Sequence, residues 1–549
     1  MQQIRVLVAD KLADEGLDFL RSQQVQFDVK PGMNEDEFAS TLAAGNYDAL
    51  IVRSGAKVTA KVLANPGPLK AIARAGVGVD NIDLDAATAR GILVLNTAEA
   101  STLSTAEHAL ALMLSLARKI PAAHASLKSG QLEWKKRSQY QGTQLAGKTL
   151  GVVGVGRIGR TVASRAIAMD MTVLGFDPFF TAPTAMDGKV KMVRDFDEFL
   201  AGLDVITFHV PGGEGTKHLL NRERLFNKCK PNLLVVNDSR GEVVDEFALA
   251  DAVREKKIAG AAIDVYQTEP PQKDHPLFGL ENVVLTPHLG ASTDEAQTAV
   301  SVDACKAIVA YLSKGEIRGA VNAGGIRLDL PPDEAPFAVL ASRIGCLLSA
   351  MCDGGYSSIT LRASGTRAPK LMPTLLRLAA VELLKPHLSN PVNVINVEKL
   401  AAQRGIELVQ IHEPSPPQGL VGDIVGVRAD APNGQSHRVL GTVYADGFPR
   451  VLRIDGWSMD MIPEGPMTLI TNKDQPGVIG TVGSTFGDAK VNIADMAITR
   501  GDMAPDGSAK ALMVVKTDSE PPSSLLEELR KKPNIVRVKS ITLPARNQP

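Results

Sequence analysis

A glycine-rich turn between an apolar strand and a helix constrains this chain more than any other feature. Residues 149–160 read TLGVVGVGRIGR, which places Gly154, Gly156 and Gly159 at GxGxxG spacing. In such a turn the first glycine allows a tight bend, the second lets the backbone approach a pyrophosphate, and the third permits close contact between helix and sheet. The pattern predicts a dinucleotide-binding turn in a doubly wound α/β unit.

The residues around this turn favour one dinucleotide. Arg157 and Ile158 stand between the glycines, where they would lie against the pyrophosphate at the helix N-terminus. Asp177 ends the next predicted strand, 18 residues past Gly159, where a carboxylate can accept from the adenosine ribose hydroxyls. Because Pro and Phe follow this acid rather than Arg, a 2′-phosphate would be repelled without compensation. The sequence predicts NAD rather than NADP; the alternative is a glycine turn and a strand-end acid with no ligand.

Length and composition exclude several classes of protein. A chain of 549 residues is long enough for three to four domains of about 150 residues each. Its 44% hydrophobic and 22% charged residues are typical of globular proteins, and its net charge of −1 gives no overall attraction to nucleic acid or membrane. The four cysteines form no CxxC pair, so neither a disulfide framework nor a metal site is expected. A cytoplasmic location fits this cysteine usage.

Two successive alternations of apolar strands and polar helices predict two doubly wound (Rossmann/flavodoxin-like) α/β domains. The predicted strands are 4–9, 25–29, 49–52, 71–74 and 93–95 in the first unit, and 150–153, 173–176, 204–210, 233–237, 261–265 and 283–285 in the second. A helix is predicted over 103–118, and a helical pattern over 292–312 is expected to run back to the first unit. We therefore predict a substrate-binding domain over 1–98, completed by 290–320, and a NAD-binding Rossmann domain over 99–289.

Two smaller domains are predicted after a linker. Residues 328–336 read LDLPPDEAP, which is rich in Pro and acidic residues and lacks periodicity. Mixed helical and strand patterns from 327 to 455 predict an α+β domain. The last block, 466–549, reads strand, helix, strand, strand, helix, strand, which is the βαββαβ order of a ferredoxin-like module.

Three segments at the carboxyl ends of later strands carry residues suited to acid-base chemistry: 237–241, 264–270 and 286–290. Ligands of open α/β sheets bind at those ends, so the three segments are expected to face one crevice. Hydride transfer at a hydroxy acid needs a fork for the carboxylate, a base for the hydroxyl proton and a group that orients the base.

Arg240 suits the fork, because a guanidinium grips a carboxylate bidentately. His288 suits the base, and Glu269 suits the orienting group because a carboxylate would stabilise the imidazolium. Asp264 is placed to hold the nicotinamide carboxamide. His209 also follows a strand and is a rival for the base, and position alone does not separate the two histidines. Each residue also has an alternative without catalysis, such as an Arg that pairs with surface acids.

The chain is identified by these residues as resembling the D-isomer-specific 2-hydroxyacid dehydrogenase family. The stretches that carry the resemblance are 74–81, the GVGRIG turn, 238–245, 261–265 with Glu269-Pro270, and 286–293, and they cover residues 1 to about 320. The resemblance implies that Arg240, Glu269 and His288 are the catalytic residues, which decides against His209. It also implies cofactor contacts at Asp238, Asp264, His288 and Gly290.

Within that family the chain looks like the long-chain members that oxidise 3-phosphoglycerate to 3-phosphohydroxypyruvate, the first step of L-serine synthesis. A substrate with a phosphate needs a second positive charge beyond the carboxylate fork. The positions that the resemblance assigns to the substrate are Arg53, Ser54, Gly55, Arg74, Gly76 and Arg240. The basic loop 134–137 resembles one that reaches a neighbouring subunit, which implies a homodimer or homotetramer; the alternative is a solvated turn. Two other functions stay open: a glyoxylate or hydroxypyruvate reductase, and an NAD-sensing scaffold or corepressor.

The C-terminal segments resemble regulatory domains. Residues 327–455 are similar to the intervening (allosteric substrate-binding type) domain of long family members, and 466–549 to an ACT domain, which senses small molecules. The resemblance implies an L-serine site at Asn472, Asp474 and Asn492, shared with a paired module. The alternative for Asn492 is a cap at a strand start.

Overall fold

The computed structural model describes residues 3–130, 134–352, 354–388, 391–503 and 509–544. Within these residues the chain forms four β-sheets. Two of them are doubly wound α/β units, the third belongs to an α+β unit, and the fourth has ferredoxin-like order. The predicted fold class is therefore confirmed.

The first sheet is parallel and has the strand order β2-β1-β3-β4-β5. This is the flavodoxin-like arrangement of a doubly wound fold. Its strands are almost fully buried except β2 at the edge. The elements are β1 (Arg5–Val8), α1 (Asp14–Ser22), β2 (Gln26–Val29), α2 (Glu35–Gly45), β3 (Ala49–Val52), β4 (Ala71–Arg74), α3 (Leu84–Ala89) and β5 (Leu93–Asn96).

The second sheet has the order β13-β12-β11-β10-β6-β7-β9-β8, parallel except for the β8/β9 pair. Its elements are α4 (Thr102–Ala117), α5 (Ile120–Lys128), β6 (Thr149–Val153), α6 (Arg157–Ala168), β7 (Thr172–Phe176), β8 (Thr184–Ala185), β9 (Val190–Met192), α7 (Phe196–Ala201), β10 (Val205–Phe208), α8 (Arg222–Asn227), β11 (Leu234–Asn237), α9 (Glu246–Arg254), β12 (Gly260–Ile263) and β13 (Val283–Leu285). The short strands β8 and β9 were not predicted. The other strands lie where the apolar runs predict them.

A long helix, α10 (Asp294–Lys314), returns from the second unit to the first sheet. Val300, Ala304 and Ile308 lie at spacings of four residues and pack in one buried cluster with Val6 and Val8 of β1. This apolar stripe is what holds the helix on that sheet.

The third and fourth units share one apolar core. Met467, Leu469 and Leu543 of the fourth sheet pack in the same buried cluster as Phe337 and Leu340 of α11. The third sheet has the order β15-β14-β16-β17-β18-β19 and the fourth β21-β22-β20-β23. The elements are α11 (Ala335–Met351), β14 (Ser358–Ser364), α12 (Met372–Leu384), α13 (Val397–Ala402), β15 (Glu407–His412), β16 (Ile424–Asp430), β17 (Ser436–Val443), β18 (Pro449–Ile454), β19 (Trp457–Met461), β20 (Gly465–Lys473), α14 (Val478–Asp488), β21 (Ile493–Met503), β22 (Ala509–Thr517), α15 (Ser523–Lys531) and β23 (Ile535–Leu543).

The described residues carry neither a membrane-spanning helix nor a metal-binding cluster. None of their helices combines the length and the apolar character needed to cross a membrane. They also contain no group of three His, Cys, Asp or Glu side chains arranged to hold a metal ion.

Candidate active site

The glycine turn joins β6 to α6 as the spacing predicts. Gly154 has φ +86, and a Cβ added there would lie 2.5 Å from the His209 carbonyl oxygen. A Cβ on Gly159 would lie 2.0 Å from the Gly154 oxygen, so helix and strand meet too closely for a side chain. A Cβ on Gly156 would meet no described atom within 4 Å, and no described side chain caps the first turn of α6. The turn thus leaves an open space in front of amides that can bind an anion.

Asp177 lies at the end of β7 beside this turn. Its Oδ2 accepts a hydrogen bond from the Val155 amide at 3.1 Å, and its Oδ1 accepts from the Phe179 amide at 3.0 Å. Each carboxylate oxygen can accept a second bond. The acid is therefore held in place with capacity for the ribose hydroxyls of a dinucleotide.

The two residues between the glycines have different surroundings. Arg157 is exposed and forms an ion pair with Glu99 at 2.8 Å, whereas Ile158 packs at the edge of the buried core under the sheet. The open cradle at Gly156, the uncapped amides of α6 and the strand-end acid together fit NAD.

His288 and Glu269 form a direct pair. His288 Nδ1 is 2.8 Å from Glu269 Oε2, and the two side chains are 50% and 39% exposed. His288 has φ 57, and its amide donates to the backbone oxygen of Asp264 at 2.8 Å. Burial alone would raise the pKa of Glu269, but the hydrogen bond and charge of His288, with the Tyr266 amide and the charge of Arg240, together hold that pKa below its ordinary value. An ionised acid thus faces one nitrogen of the half-exposed ring.

Arg240 reaches the same place from the end of β11. Its positive charge contributes to the lowered pKa of Glu269. Its Nε donates to Asp80 Oδ2 at 2.9 Å, and its Nη1 donates to the Ser239 carbonyl oxygen at 2.6 Å. The guanidinium therefore already binds a carboxylate, on a residue whose side chain is 72% exposed. This contact is the one expected of an arginine that pairs with a surface acid. Even so, Arg240 is close enough to Glu269 for its charge to lower the pKa of that acid.

The first unit adds two more guanidinium groups to the crevice. Burial, together with the like charges of Arg240 and Arg53, lowers the pKa of Arg74 to about 10. Gly76 has φ +144, and a Cβ there would lie 1.3 Å from Arg74 Nη1. The guanidinium of Arg74 can occupy that position because residue 76 has no side chain.

The loop after β3 is held by one acid. Asp10 accepts hydrogen bonds from the amides of Arg53 at 2.7 Å and Ala56 at 3.0 Å. A Cβ on Gly55 would lie 2.6 Å from Asp10 Oδ1. Ser54 and Gly55 are exposed in this loop, on the crevice side of the sheet that Arg53 also occupies.

Asp264 is buried and already occupied by protein groups. Its carboxylate accepts from the Thr286 hydroxyl at 2.6 Å and from the amides of Leu289 at 2.8 Å and Gly290 at 2.9 Å. His108 of α4 lies 3.2 Å from Asp264 Oδ1. The acid therefore anchors the loop that carries His288, and its contact with nicotinamide stays a prediction.

His209 and Asp238 form another pair, and both side chains are buried. Their side chains are 1% and 0% exposed, with Nδ1 and Oδ1 3.6 Å apart. Burial lowers the pKa of His209 to about 3, while burial and then the charge of Asp264 raise the pKa of Asp238 to about 8. Burial therefore disfavours the charged form of both groups. A buried neutral His209 is poorly placed to receive a proton from a substrate.

Sequence reasoning missed two contacts. The pairing of Asp80 with Arg240 joins residues of different domains, although Asp80 stands in one of the stretches that carry the family resemblance. His108 interrupts the apolar pattern of the predicted helix 103–118, and that polar break was the available signal.

The three residues predicted to bind an effector have separate partners in this chain. Asn472 is 3% exposed; its Nδ2 donates to the Lys473 carbonyl oxygen at 2.8 Å, and its Oδ1 has no hydrogen-bond partner among the described residues. Asp474 forms an ion pair with Arg500 at 3.0 Å, and Asn492 donates to Asp518 Oδ2 at 2.6 Å.

The predicted basic loop lies on a short 3-10 helix, Trp134–Tyr140. The Trp134 side chain is 68% exposed, and the Arg137 guanidinium lies 5.8 Å from the centre of its ring. Trp134 and Arg137 contact each other, and these contacts do not reach the crevice of their own chain.

The chain is similar to known proteins over its whole length. Family descriptions match as "D-isomer specific 2-hydroxyacid dehydrogenase, NAD binding domain" over 110–290, "D-3-phosphoglycerate dehydrogenase intervening domain" over 335–455 and "ACT domain" over 467–534. The D-3-phosphoglycerate dehydrogenase of Archaeoglobus fulgidus is 40% identical over 533 residues, 97% of this chain and 99% of that protein. The one from Methanocaldococcus jannaschii is 37% identical over 545 residues, 98% of this chain and 100% of that protein.

Solved structures are similar over the first two units. The glyoxylate reductase from Paecilomyes thermophila is 30% identical with a TM-score of 0.54, and covers 58% of this chain and 99% of its own. The doubly wound fold and the matched domain define an NAD-dependent dehydrogenase of the D-isomer specific 2-hydroxyacid class. Because the full-length relatives share the two C-terminal units as well, the class can be narrowed. The chain belongs to the D-3-phosphoglycerate dehydrogenase family.

Proposed function

We propose that this chain oxidises 3-phosphoglycerate at its 2-hydroxyl group to 3-phosphohydroxypyruvate with NAD, the first step of L-serine synthesis. The observation that carries the proposal is the convergence of Arg240, Glu269 and His288 at the carboxyl ends of the second sheet, facing Arg53 and Arg74 of the first unit. A glyoxylate or hydroxypyruvate reductase would share the first three residues, so the two further arginines distinguish the candidates.

His288 is the general base. Its Nδ1 is engaged by Glu269, so Nε2 takes the proton of the substrate hydroxyl while the carboxylate stabilises the imidazolium that forms. Bound NAD supplies the nicotinamide carbon that takes the hydride. Arg240 holds the substrate carboxylate in the way that it holds Asp80 in this structure.

Arg53 and Arg74 bind the phosphate. Arg74 is partly buried beside two other guanidinium groups, and this accumulation of positive charge costs free energy unless an anion is bound. A phosphate supplies the compensating charge. Ser54 and Gly55 follow Arg53 in the loop after β3, and Gly76 lies against the guanidinium of Arg74 in the loop after β4.

The active form is a homodimer or homotetramer. Leu114, Ile120 and Leu127 on α4 and α5 are exposed apolar side chains, and Trp134 is exposed as well. A second copy that covers this surface would bring the basic loop 134–137 to the partner's crevice.

L-serine regulates the enzyme through the C-terminal module. Asp474 suits its ammonium group, and the amides at the start of α14 suit its carboxylate. Asn492 of a paired module completes the site.

The test is a panel of 2-hydroxy acids with NAD and NADP, each with and without L-serine. We expect kcat/KM for 3-phosphoglycerate to exceed that for glycerate by about 100-fold or more, because charge-assisted hydrogen bonds contribute roughly 1.5–3 kcal/mol each. The reaction should prefer NAD, and L-serine should slow it. Faster reduction of glyoxylate than of 3-phosphohydroxypyruvate would assign the reductase function instead. NADH binding without turnover of any hydroxy acid would favour the scaffold.

A further inference from the structure

A polar ring of helix α4, that of His108, contacts residues that hold the loop carrying His288. His108 lies in the middle of α4, and its side chain is 18% exposed. Its Nε2 is 3.2 Å from Asp264 Oδ1 and 3.3 Å from the Thr286 hydroxyl oxygen. Because the Thr286 hydroxyl itself donates to Asp264, its oxygen is free to accept, and both contacts are made by one imidazole N–H.

Asp264 passes this contact to the backbone of the catalytic loop. Its two carboxylate oxygens accept from the amides of Leu289 and Gly290, and its carbonyl oxygen accepts from the amide of His288. Three consecutive loop residues are thus hydrogen-bonded to one aspartate. His288 adopts φ 57, a conformation that costs free energy for a residue with a side chain. These bonds hold it there.

Other contacts place α4 as a wall behind this loop. The Ser104 and Thr293 hydroxyls are 2.8 Å apart, and a Cβ on Gly290 would lie 3.4 Å from Thr105 Cγ2. The helix and the loop therefore pack closely, and His108 is the titratable group between them.

We propose that His108 is a positioning residue for hydride transfer: it holds the Asp264 carboxylate, and through it the 288–290 backbone that aims the His288 ring at the substrate. This inference rests on the proposed function for the identity of the base. It gives Asp264 a structural task in addition to its predicted contact with the cofactor.

The charges near His108 favour the same role. The hydrogen bond and charge of Asp264 outweigh burial and raise the pKa of His108 above its ordinary value. Burial alone would raise the pKa of Asp264, but its bonds from His108 and Thr286 hold it lower. The charge of Asp238, when that buried acid is ionised, raises the pKa of His108 further. The charge of Asp264 thus strengthens the contact that His108 makes with it behind the loop.

The experiment compares His108→Leu, His108→Gln and the control Glu107→Gln in the full-length enzyme. Leucine removes the donor to Asp264, whereas glutamine keeps an N–H donor at nearly the same reach. Glu107 is the preceding residue of α4. Its side chain is 66% exposed and lies 3.9 Å from Arg165, so its substitution leaves the contact between His108 and Asp264 intact. The measurements are kcat, KM, the Kd for NADH from its fluorescence, and Tm.

We expect His108→Leu to lower kcat by roughly 10- to 100-fold, because a misplaced catalytic group costs about that much. KM should change less than about threefold, since the substrate is held by arginines from other elements. His108→Gln should recover kcat to within about fivefold of the wild type, and Glu107→Gln should match the wild type. This rescue is not expected of a residue that only packs.

Three results would overturn the inference. They are a kcat for His108→Leu within twofold of the wild type, equal losses in the Leu and Gln variants, and a Leu variant whose loss lies entirely in KM or in Tm. Failure of the proposed function is seen separately, because the wild-type enzyme itself would then turn over no 2-hydroxy acid. The comparison of variants is made on whichever hydroxy acid the wild type oxidises fastest, so it does not depend on 3-phosphoglycerate.

Discussion

The active-site crevice and the C-terminal effector region differ in how far one chain completes them. In the crevice, Arg240, Glu269 and His288 come from three different strand ends and act on one another directly. In the effector region, Asp474 and Asn492 are each bound to a neighbour, Arg500 and Asp518 respectively. One set of residues is assembled, whereas the other is dispersed.

The two types of sheet explain this difference. In a parallel sheet all carboxyl ends lie at one edge, so residues that follow β11, β12 and β13 meet without a partner chain. The C-terminal sheet is antiparallel, and β22 lies between β20 and β21. Asn472 on β20 and Asn492 before β21 are therefore about two strand spacings apart across the sheet, roughly 10 Å, and about six residues apart along the strands, roughly 20 Å. A small amino acid needs a second copy to bring such residues together.

The largest expected effect comes from breaking the assembled site. His288→Ala should lower kcat by roughly 1,000-fold, because general acid-base catalysis contributes about 100- to 10,000-fold. The Kd for NADH should stay within about threefold, since the glycine turn and Asp177 are untouched. Steady-state rates and NADH fluorescence check both expectations. His412→Ala, exposed at the end of β15 in the third unit, is the matched control and should behave as the wild type. Substantial turnover by His288→Ala would mean that another group accepts the proton.

A smaller effect is expected from breaking the dispersed site. Asp474→Asn removes the charge proposed to bind the ammonium group of L-serine. We expect the serine concentration for half-maximal inhibition to rise about 10-fold, which corresponds to the roughly 1.4 kcal/mol of one charge-assisted hydrogen bond. Each rate is compared with the same variant without serine, and Asp488→Asn, exposed on α14, is the control. An unchanged serine response would place the effector elsewhere.

Local spacing predicted the parts of the molecule that depend on one segment. Gly154, Gly159 and Asp177 were found from their separations along the chain, and the structure shows the backbone approach that excludes a Cβ at both glycines. The strands β8 and β9 escaped prediction because they have two and three residues, too few to show a period.

Contacts between distant segments were not predictable from pattern. Asp80 and Arg240 are 160 residues apart, and their ion pair depends on how the two doubly wound units face each other. His108 lies in a correctly predicted helix, but its contact with Asp264 depends on which face of α4 packs on the ends of β12 and β13. A polar residue inside an apolar helical pattern indicates a buried partner without identifying it.

The smallest expected effect comes from comparing one aspartate of each region, Asp238 near the active-site crevice and Asp474 in the effector region. Asp474 has an arginine partner and is partly exposed, whereas neither oxygen of Asp238 has a hydrogen-bond partner in the described part of the chain. Burial and the charge of Asp264 raise the pKa of Asp238 from 3.8 to about 8. Between these values the folded chain keeps a proton that the unfolded chain releases, so the free energy of unfolding falls as pH rises. Above pH 8 the loss is complete.

Asp238→Asn keeps the shape of the protonated side chain and removes its titration. The variant should therefore match the wild type near pH 4 and become more stable than it as pH rises, so its Tm should exceed that of the wild type at pH 8. The measurement is Tm as a function of pH, taken for the unfolding transition whose Tm rises when NADH binds.

The variant Asp204→Asn should change Tm in the opposite direction. Burial would raise the pKa of Asp204, but bonds from the Thr149 amide and Asn232 hold it below 3.8, so Asp204 stabilises the fold above that pH and its loss lowers Tm at pH 7. Equal slopes for both variants would show that Asp238 is ionised and paired in the folded chain.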